Sequence, residues 1–198
     1  MYGDYYDKFK SMRAYLAYVF AHPGKKLTFM GTEFAQFKEW DHQAGIDFCL
    51  LDFDTHNNLH KFTRALNHFY LDHPELFEED FSWKGFDWLV ADDNTQNILV
   101  FRRMDKSGNE LIFAVNFSTV TREDYSVTRE DYSFGVTAQD WEEVFNTDSE
   151  EFGGSGITNG TLKAEKTSFK GKDYKLTIKI PALSGVFLKK KSKQIRLD

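Results

Sequence analysis

LTFMGTEFAQFKEWDHQAGIDFCLLD, Leu27 to Asp52, is the stretch on which the reading of this chain turns. It opens with Leu27-Thr28-Phe29-Met30, too short an apolar run for a helix and suited to a short buried strand. Gly31 breaks the run. Beyond it stand Glu33, Phe34, Gln36, Glu39, Trp40, Asp41 and His42, a set that a packed core would not choose together. A buried strand opening onto a loop of carboxylates, amide and aromatic rings is how barrel enzymes present groups to a substrate. Sugar rings stack their apolar faces on Trp and Phe, while carboxylates and amides hold the hydroxyls around the rim.

Working outward, Phe9, Met12, Leu16 and Val19 recur at helical spacing and predict a helix from Asp4 to Ala21. Asp4 can cap its start, and His22-Pro23-Gly24 stops it. A second helix is predicted from about Asn57 to Leu71, with Leu59, Phe62, Leu66 and Phe69 on its buried side and Asn57 or Asn58 as cap. A short turn of helix at Pro74–Phe77 ends the unit. Helix, strand and helix with short connections is part of an alternating α/β fold. From Phe81 the period changes. Ile98–Arg103, Leu111–Phe117, Glu142–Phe145, Lys175–Ile180 and Gly185–Leu188 are short β-rich runs, with Ser107-Gly108-Asn109 as a hairpin turn. Lys175 to Ile180 alternates strictly, so one face is buried and the other wet. Strands at this spacing indicate an antiparallel sandwich. The chain therefore divides into residues 1–77 and an all-β region, 78–198.

Composition narrows the classes. A chain of 198 residues with 41% hydrophobic content suffices for one substantial domain or one and a half. A formal charge of −6 argues against nucleic acid, whose phosphates need a basic face. Lys189-Lys190-Lys191 and Lys193 read as a solvated terminus. Cys49 is the single cysteine, which forbids an internal disulfide and fits a reducing, cytoplasmic compartment. It reads as a small buried hydrophobe rather than a nucleophile. No apolar run approaches the roughly 20 residues that span a bilayer, so no membrane partner is expected. Aromatic content of 17% serves a core first, and sugar platforms only where rings cluster with polar groups.

The run from Phe29 closely resembles the last barrel strand and following loop of 1,4-α-glucan branching enzymes of the α-amylase superfamily. The matching residues are Phe29-Met30-Gly31, Glu33-Phe34, Gln36, Glu39-Trp40 and then Asp47 with Leu50-Leu51. A second match is Asn146-Thr147-Asp148-Ser149 followed by Phe152-Gly153-Gly154-Ser155-Gly156 and Asn159-Gly160. The resemblance implies an α+β chain: the last helix-strand-helix elements of a (β/α)8 barrel, then an all-β antiparallel sandwich. It also implies the carboxyl-terminal portion of a glycosyltransferase of glycogen biosynthesis, acting on α-glucan. Two alternatives stay open: a non-catalytic glucan-binding or stabilising β module, and part of another superfamily enzyme such as a debranching hydrolase.

Retaining glycosyl transfer needs a carboxylate nucleophile and a carboxylic acid roughly 5 Å apart. In the superfamily these groups precede the last barrel strand, and no carboxylate here matches their surroundings. No catalytic residue is assigned, and the chain alone is expected to be inactive. The tentative glucan-binding residues are Glu33, Phe34, Gln36 and Trp40. Glu33 reads as a group near the glucan or as half of a surface ion pair, and the family match favours the former. Trp40 is a sugar platform or a core ring, Phe34 leans to the core, and Gln36 fits either role. Trp83, Trp88 and Trp141 are expected to pack the β region or its junction. Asp92-Asp93-Asn94 reads as a turn, since the spaced ligands of a calcium loop are missing. Gly153 to Gly156 lacks the Lys-Ser/Thr ending of a phosphate loop and reads as a flexible turn. No metal site and no cofactor are expected.

Two expectations follow from physics. A lone barrel strand at Leu27–Met30 leaves unpaired backbone along its edges, so it should pair with another copy or lose order, and the exposed apolar faces of the helices favour self-association. The tandem copies Val120–Ser126 and Val127–Ser133 differ in register by an odd number, so they cannot extend a strand quietly and should loop out. Limited proteolysis is expected to cut between Val120 and Ser133, and a segment that resists cutting there removes the loop reading.

Overall fold

The computed structural model describes residues 1, 3–119, 132–137 and 140–191. Helix α1 runs Tyr5–Ala21 and starts where the sequence predicts, with the Asp4 carboxylate accepting from Asp7 N at 2.8 Å. Helix α2, Asp54–Asp72, begins earlier than Asn57. Its cap position is Phe53, which offers no side-chain bond, and Asp54 instead places negative charge against the positive end of the helix. Leu59, Phe62, Leu66 and Phe69 form its buried side as predicted. A turn of 3-10 helix occupies Pro74–Leu76.

The predicted strand at Leu27–Met30 is not formed. Residues 25–29 run without a ladder partner, Leu27 is 85% exposed, and Phe29 and Met30 are also exposed. The physical reason is plain: a strand exists only through its neighbours, and among the described residues nothing pairs with this one.

The rest is β. The strands are β1 Phe86–Asp93, β2 Ile98–Met104, β3 Glu110–Asn116, β4 Tyr132–Val136, β5 Asp140–Asn146, β6 Thr161–Lys163, β7 Glu165–Phe169, β8 Lys172–Ile178 and β9 Ser184–Lys190. They build a six-stranded sheet in the order β1-β2-β3-β9-β5-β6 and a three-stranded sheet in the order β4-β8-β7, with antiparallel pairing throughout. Each of the five predicted β runs falls on a strand, although Phe117 lies past the end of β3 and Lys179-Ile180 past the end of β8, and the 107–109 turn joins β2 to β3. Strands β1, β4, β6 and β7 lie outside the five predicted runs. Most of the tandem repeat, residues 120–131, lies outside the described residues, and the second copy enters β4 at Tyr132 and Ser133.

Alternation along β3 explains how the layers stack. Leu111, Phe113 and Val115 join α1 and α2 in one core, while Ile112 and Ala114 join Phe134, Leu176 and Ile178 of the second sheet in another. The large sheet is therefore covered on both faces, by helices on one and by the small sheet on the other. This is why β3 reads as a nearly unbroken apolar run. Strand β8, covered on one face, alternates instead: Leu176 and Ile178 are buried, Thr177 is exposed.

Arg103 pins the layers together. Its side chain is fully buried in β2, and it donates from Nη1 to Ala21 O at 2.8 Å, from Nε to Gly85 O at 3.1 Å and from Nη2 to Asp80 Oδ1 at 2.7 Å. Ala21 O is one of the carbonyls that the end of α1 leaves unpaired. Nearby, Lys26 donates to His22 O, and burial lowers its pKa to about 8, with Asp80 opposing the shift. A second tie is Lys189 to Glu75, 2.8 Å apart but off the line of a hydrogen bond, with Glu75 buried.

Removing one member of a buried pair leaves an uncompensated charge, so Arg103→Met alone is expected to lower unfolding free energy by about 3–5 kcal/mol in urea titration. Lys26 binds its proton more weakly folded than unfolded. Stability is therefore expected to rise with pH from about 8 to 10.5, the interval in which the unfolded chain holds the extra proton. The wild-type curve minus that of Lys26→Met isolates this rise from the tyrosines, which titrate near 10 in the unfolded chain.

Candidate functional site

The loop that follows Gly31 is built around Gln36. Its Oε1 accepts from Asp47 N at 2.8 Å, its Nε2 donates to Lys38 O at 3.1 Å, and its own N–H reaches Gly31 O at 2.9 Å. Gln36 thus closes the loop on itself. Gly31 is required there: its φ is +81°, and a Cβ would sit 2.7 Å from the Gln36 Cβ. Phe34 is core, 1% exposed, and its carbonyl accepts from His56 Nδ1 at 2.7 Å. Glu33 anchors the loop through its backbone, accepting at O from Thr63 Oγ1 at 3.0 Å. Its half-exposed carboxylate makes no ion pair among the described residues. Trp40 is 46% exposed and meets Phe29 edge to face with centroids 5.7 Å apart. The four residues share one loop, with Glu33 and Trp40 presenting side chains and Phe34 and Gln36 supporting them.

A more enclosed feature lies elsewhere. The starts of α1 and α2 and the loop after β5 bound a groove of about 600 Å³. Tyr5, Tyr6, Phe53 and Phe152 supply rings, and Lys10, Arg13, Asp54, Thr55, Asn58 and Ser155 supply polar groups. Tyr6 is 67% and Phe53 59% exposed, and Tyr5 Oη shares a hydrogen bond with Thr55 Oγ1 at 2.8 Å. Exposed rings alternating with donors and acceptors of both signs match the chemistry of a sugar: apolar ring faces and a rim of neutral hydroxyls. None of Glu33, Phe34, Gln36 or Trp40 lines this groove.

The second sequence match builds the groove wall. Asp148 is 2% exposed, and its carboxylate accepts from Ser155 N at 3.1 Å, Ser155 Oγ at 2.5 Å and Ile157 N at 3.4 Å. Its carbonyl accepts from Gly156 N at 2.8 Å. Asn146 Nδ2 donates to Ile157 O, and Glu143 accepts from both nitrogens of Asn159, closing the loop from its far side. Gly153 to Gly156 is therefore a held loop and not the loose turn that its composition suggests. Arg13 reaches across from α1, donating from Nε to Thr147 O at 2.8 Å. Burial lowers its pKa to about 10, with Asp148 opposing the shift.

The tryptophans divide. Trp141 is fully buried between the sheets, as expected, but Trp83 is 83% exposed and Trp88 36%. With His22, Pro23, Phe81 and Phe86 they border a second groove, of about 350 Å³. Their sequence context signals strand and turn, and exposure is decided by which layer lies opposite. Asp93, at the β1–β2 turn, accepts from Thr95, Gln96 and the Tyr132 hydroxyl, an inward use of the acidic run.

Residues 88–191 match the alpha amylase C-terminal all-beta domain family, to which this chain belongs. The chain is 42% identical over 189 residues to the 1,4-alpha-glucan branching enzyme GlgB of Aquifex aeolicus (strain VF5), covering 94% of this chain and 29% of that protein. It thus spans under a third of that relative's length. Among solved structures, the alpha-amylase from H.orenii superposes with a TM-score of 0.54 at 15% identity, over 92% of this chain and 36% of that one. The catalytic module of the glycogen-degrading pneumococcal virulence factor SpuA superposes with a TM-score of 0.59 at 9% identity, over 96% of this chain and 32% of that one. At such identities the likeness is one of fold.

Gly154 tests the wall. A Cβ there would lie 2.1 Å from Asp148 O, with backbone and not a flexible side chain in the way. Gly154→Ala is expected to cost about 1–3 kcal/mol in urea denaturation, whereas Gly160→Ala, with nothing within 4 Å of its added methyl, pays only for backbone conformation.

Proposed function

We propose that this chain is the carboxyl-terminal part of a 1,4-α-glucan branching enzyme, which moves α-1,4-glucan segments onto 6-hydroxyls in cytoplasmic glycogen synthesis. The observation that carries this reading is the identity of 42% along nearly the whole chain to less than a third of such an enzyme. In this reading α1, the unpaired stretch through Leu27–Met30 and α2 are the last helix-strand-helix of a (β/α)8 barrel. The exposure of Leu27, Phe29 and Met30 supports it, since a barrel strand buries both faces only when its parallel neighbours are present.

Within that enzyme the groove of Tyr5, Tyr6 and Phe53 holds a glucan chain away from the reacting bond, and Glu33 and Trp40 stand near the bound glucan on the barrel rim. The reacting carboxylates belong to the remainder of the enzyme. The chain by itself is expected to leave the iodine colour of amylose unchanged; branching by this polypeptide alone would overturn that assignment. In native gels cast with glycogen, Tyr6→Ala is expected to weaken retardation about tenfold, equivalent to about 1.4 kcal/mol. Tyr6 is 67% exposed, so its loss leaves the core intact. Equal retardation of the two proteins would exclude the groove.

A further inference from the structure

Arg13 is only 3% exposed and lines the groove, yet the contacts described above use one of its five N–H groups. The bond from Nε to Thr147 O fixes the plane of a rigid fork. Among the described residues, neither Nη1 nor Nη2 makes a hydrogen bond or an ion pair. Both also differ from Arg102 Nε, which is sealed from solvent without a partner: the terminal nitrogens of Arg13 are not sealed. Asp148 lies close enough to act on the Arg13 charge, but its carboxylate oxygens are bonded to Ser155 and Ile157. A desolvated cation with unused donors calls for acceptors from outside the protein.

We propose that Arg13 is a ligand-binding residue of this groove, its Nη1 and Nη2 donating to hydroxyl oxygens of a neutral glucan chain. The inference rests on the glucan reading above. The choice of a neutral ligand comes from charge. Lys10 and Arg13 are balanced by Asp54 in the groove and Asp148 behind it, so there is no surplus positive field to select an anion. Planar paired donors recognise two adjacent oxygens at once, which a point charge such as Lys cannot do.

The test is a cycle between protein and ligand, using this chain with maltoheptaose and a series of its monodeoxy derivatives. If Arg13 touches the sugar, at least one deoxy position costs the wild type about tenfold in Kd and costs Arg13→Gln less than about twofold, because the lost oxygen then has no donor to miss. Arg13→Lys is run beside it, since it keeps the charge and preserves folding should the Gln variant fail. A purely structural Arg13 scales all ligands alike. Equal deoxy penalties in wild type and both variants overturn the inference, as does displacement of maltoheptaose by millimolar inorganic phosphate, which marks an anion site. If Tyr6→Ala weakens binding but Arg13 shows no coupling, only this inference falls. If Tyr6→Ala leaves affinity untouched, the glucan groove falls first.

Discussion

The guanidinium of Arg103 is wholly enclosed, and its three bonds join the end of α1, the linker after α2 and strand β2 at one point. It ties the last carbonyl of α1, the linker carboxylate of Asp80 and the Gly85 carbonyl to the far end of β2. A cation there is tolerable because the side chain is met by oxygens on every bonding direction used. The consequence is geometric: α1 cannot rotate on the sheet without stranding a buried charge. The helices are thereby part of the β region's core and not an appendage to it, as the mixing of Phe20, Phe62 and Phe113 in one cluster also requires.

Seating α1 in this way sets the groove. With its C-terminus held by Arg103, its N-terminal half lies along the loop after β5, where Arg13 finds Thr147 O. The same loop is internally closed by Asp148, so wall and helix meet with both sides already rigid. Residues that look like a signature in the sequence, Asn146, Asp148, Gly154 and Asn159, have this single mechanical task. The side chains of Asn146, Asp148 and Asn159 hold this wall from within, Gly154 leaves room for the close backbone approach, and residues 152–155 line the groove together with the helix starts.

The exposed side of the molecule obeys a different constraint. Leu27, Phe29 and Met30 carry the composition of a buried strand while lacking a strand partner among the described residues. Phe37, Phe48 and Trp40 lie exposed on the loop that follows. Apolar side chains concentrated on one unpaired segment and its loop mark a surface suited to being covered. The β sandwich, by contrast, closes both of its layers within the chain.

Local periodicity determined much of this protein by itself. The spacing of Leu59, Phe62, Leu66 and Phe69 specified the buried face of α2, Asp4 and His22-Pro23-Gly24 bounded α1, and the alternation through Leu176 and Ile178 specified β8. These succeed because each signal lies within a few residues of the structure it dictates. Strand β1 escaped because register shifts after Trp88 and Val90 break its alternation, and β7, Glu-Lys-Thr-Ser-Phe, because it is a polar edge with no buried face to declare it. The candidate glucan loop at Glu33–Trp40 was legible as chemistry, but which of its side chains face outward was not. Only the tertiary structure decided that Gln36 folds the loop inward, that Trp83 stands in solvent, and that Tyr6, Phe53 and Ser155 meet. Residues so far apart in the chain share a groove only because two helices dock on one sheet, and no pattern along the sequence can encode a distance that docking alone creates.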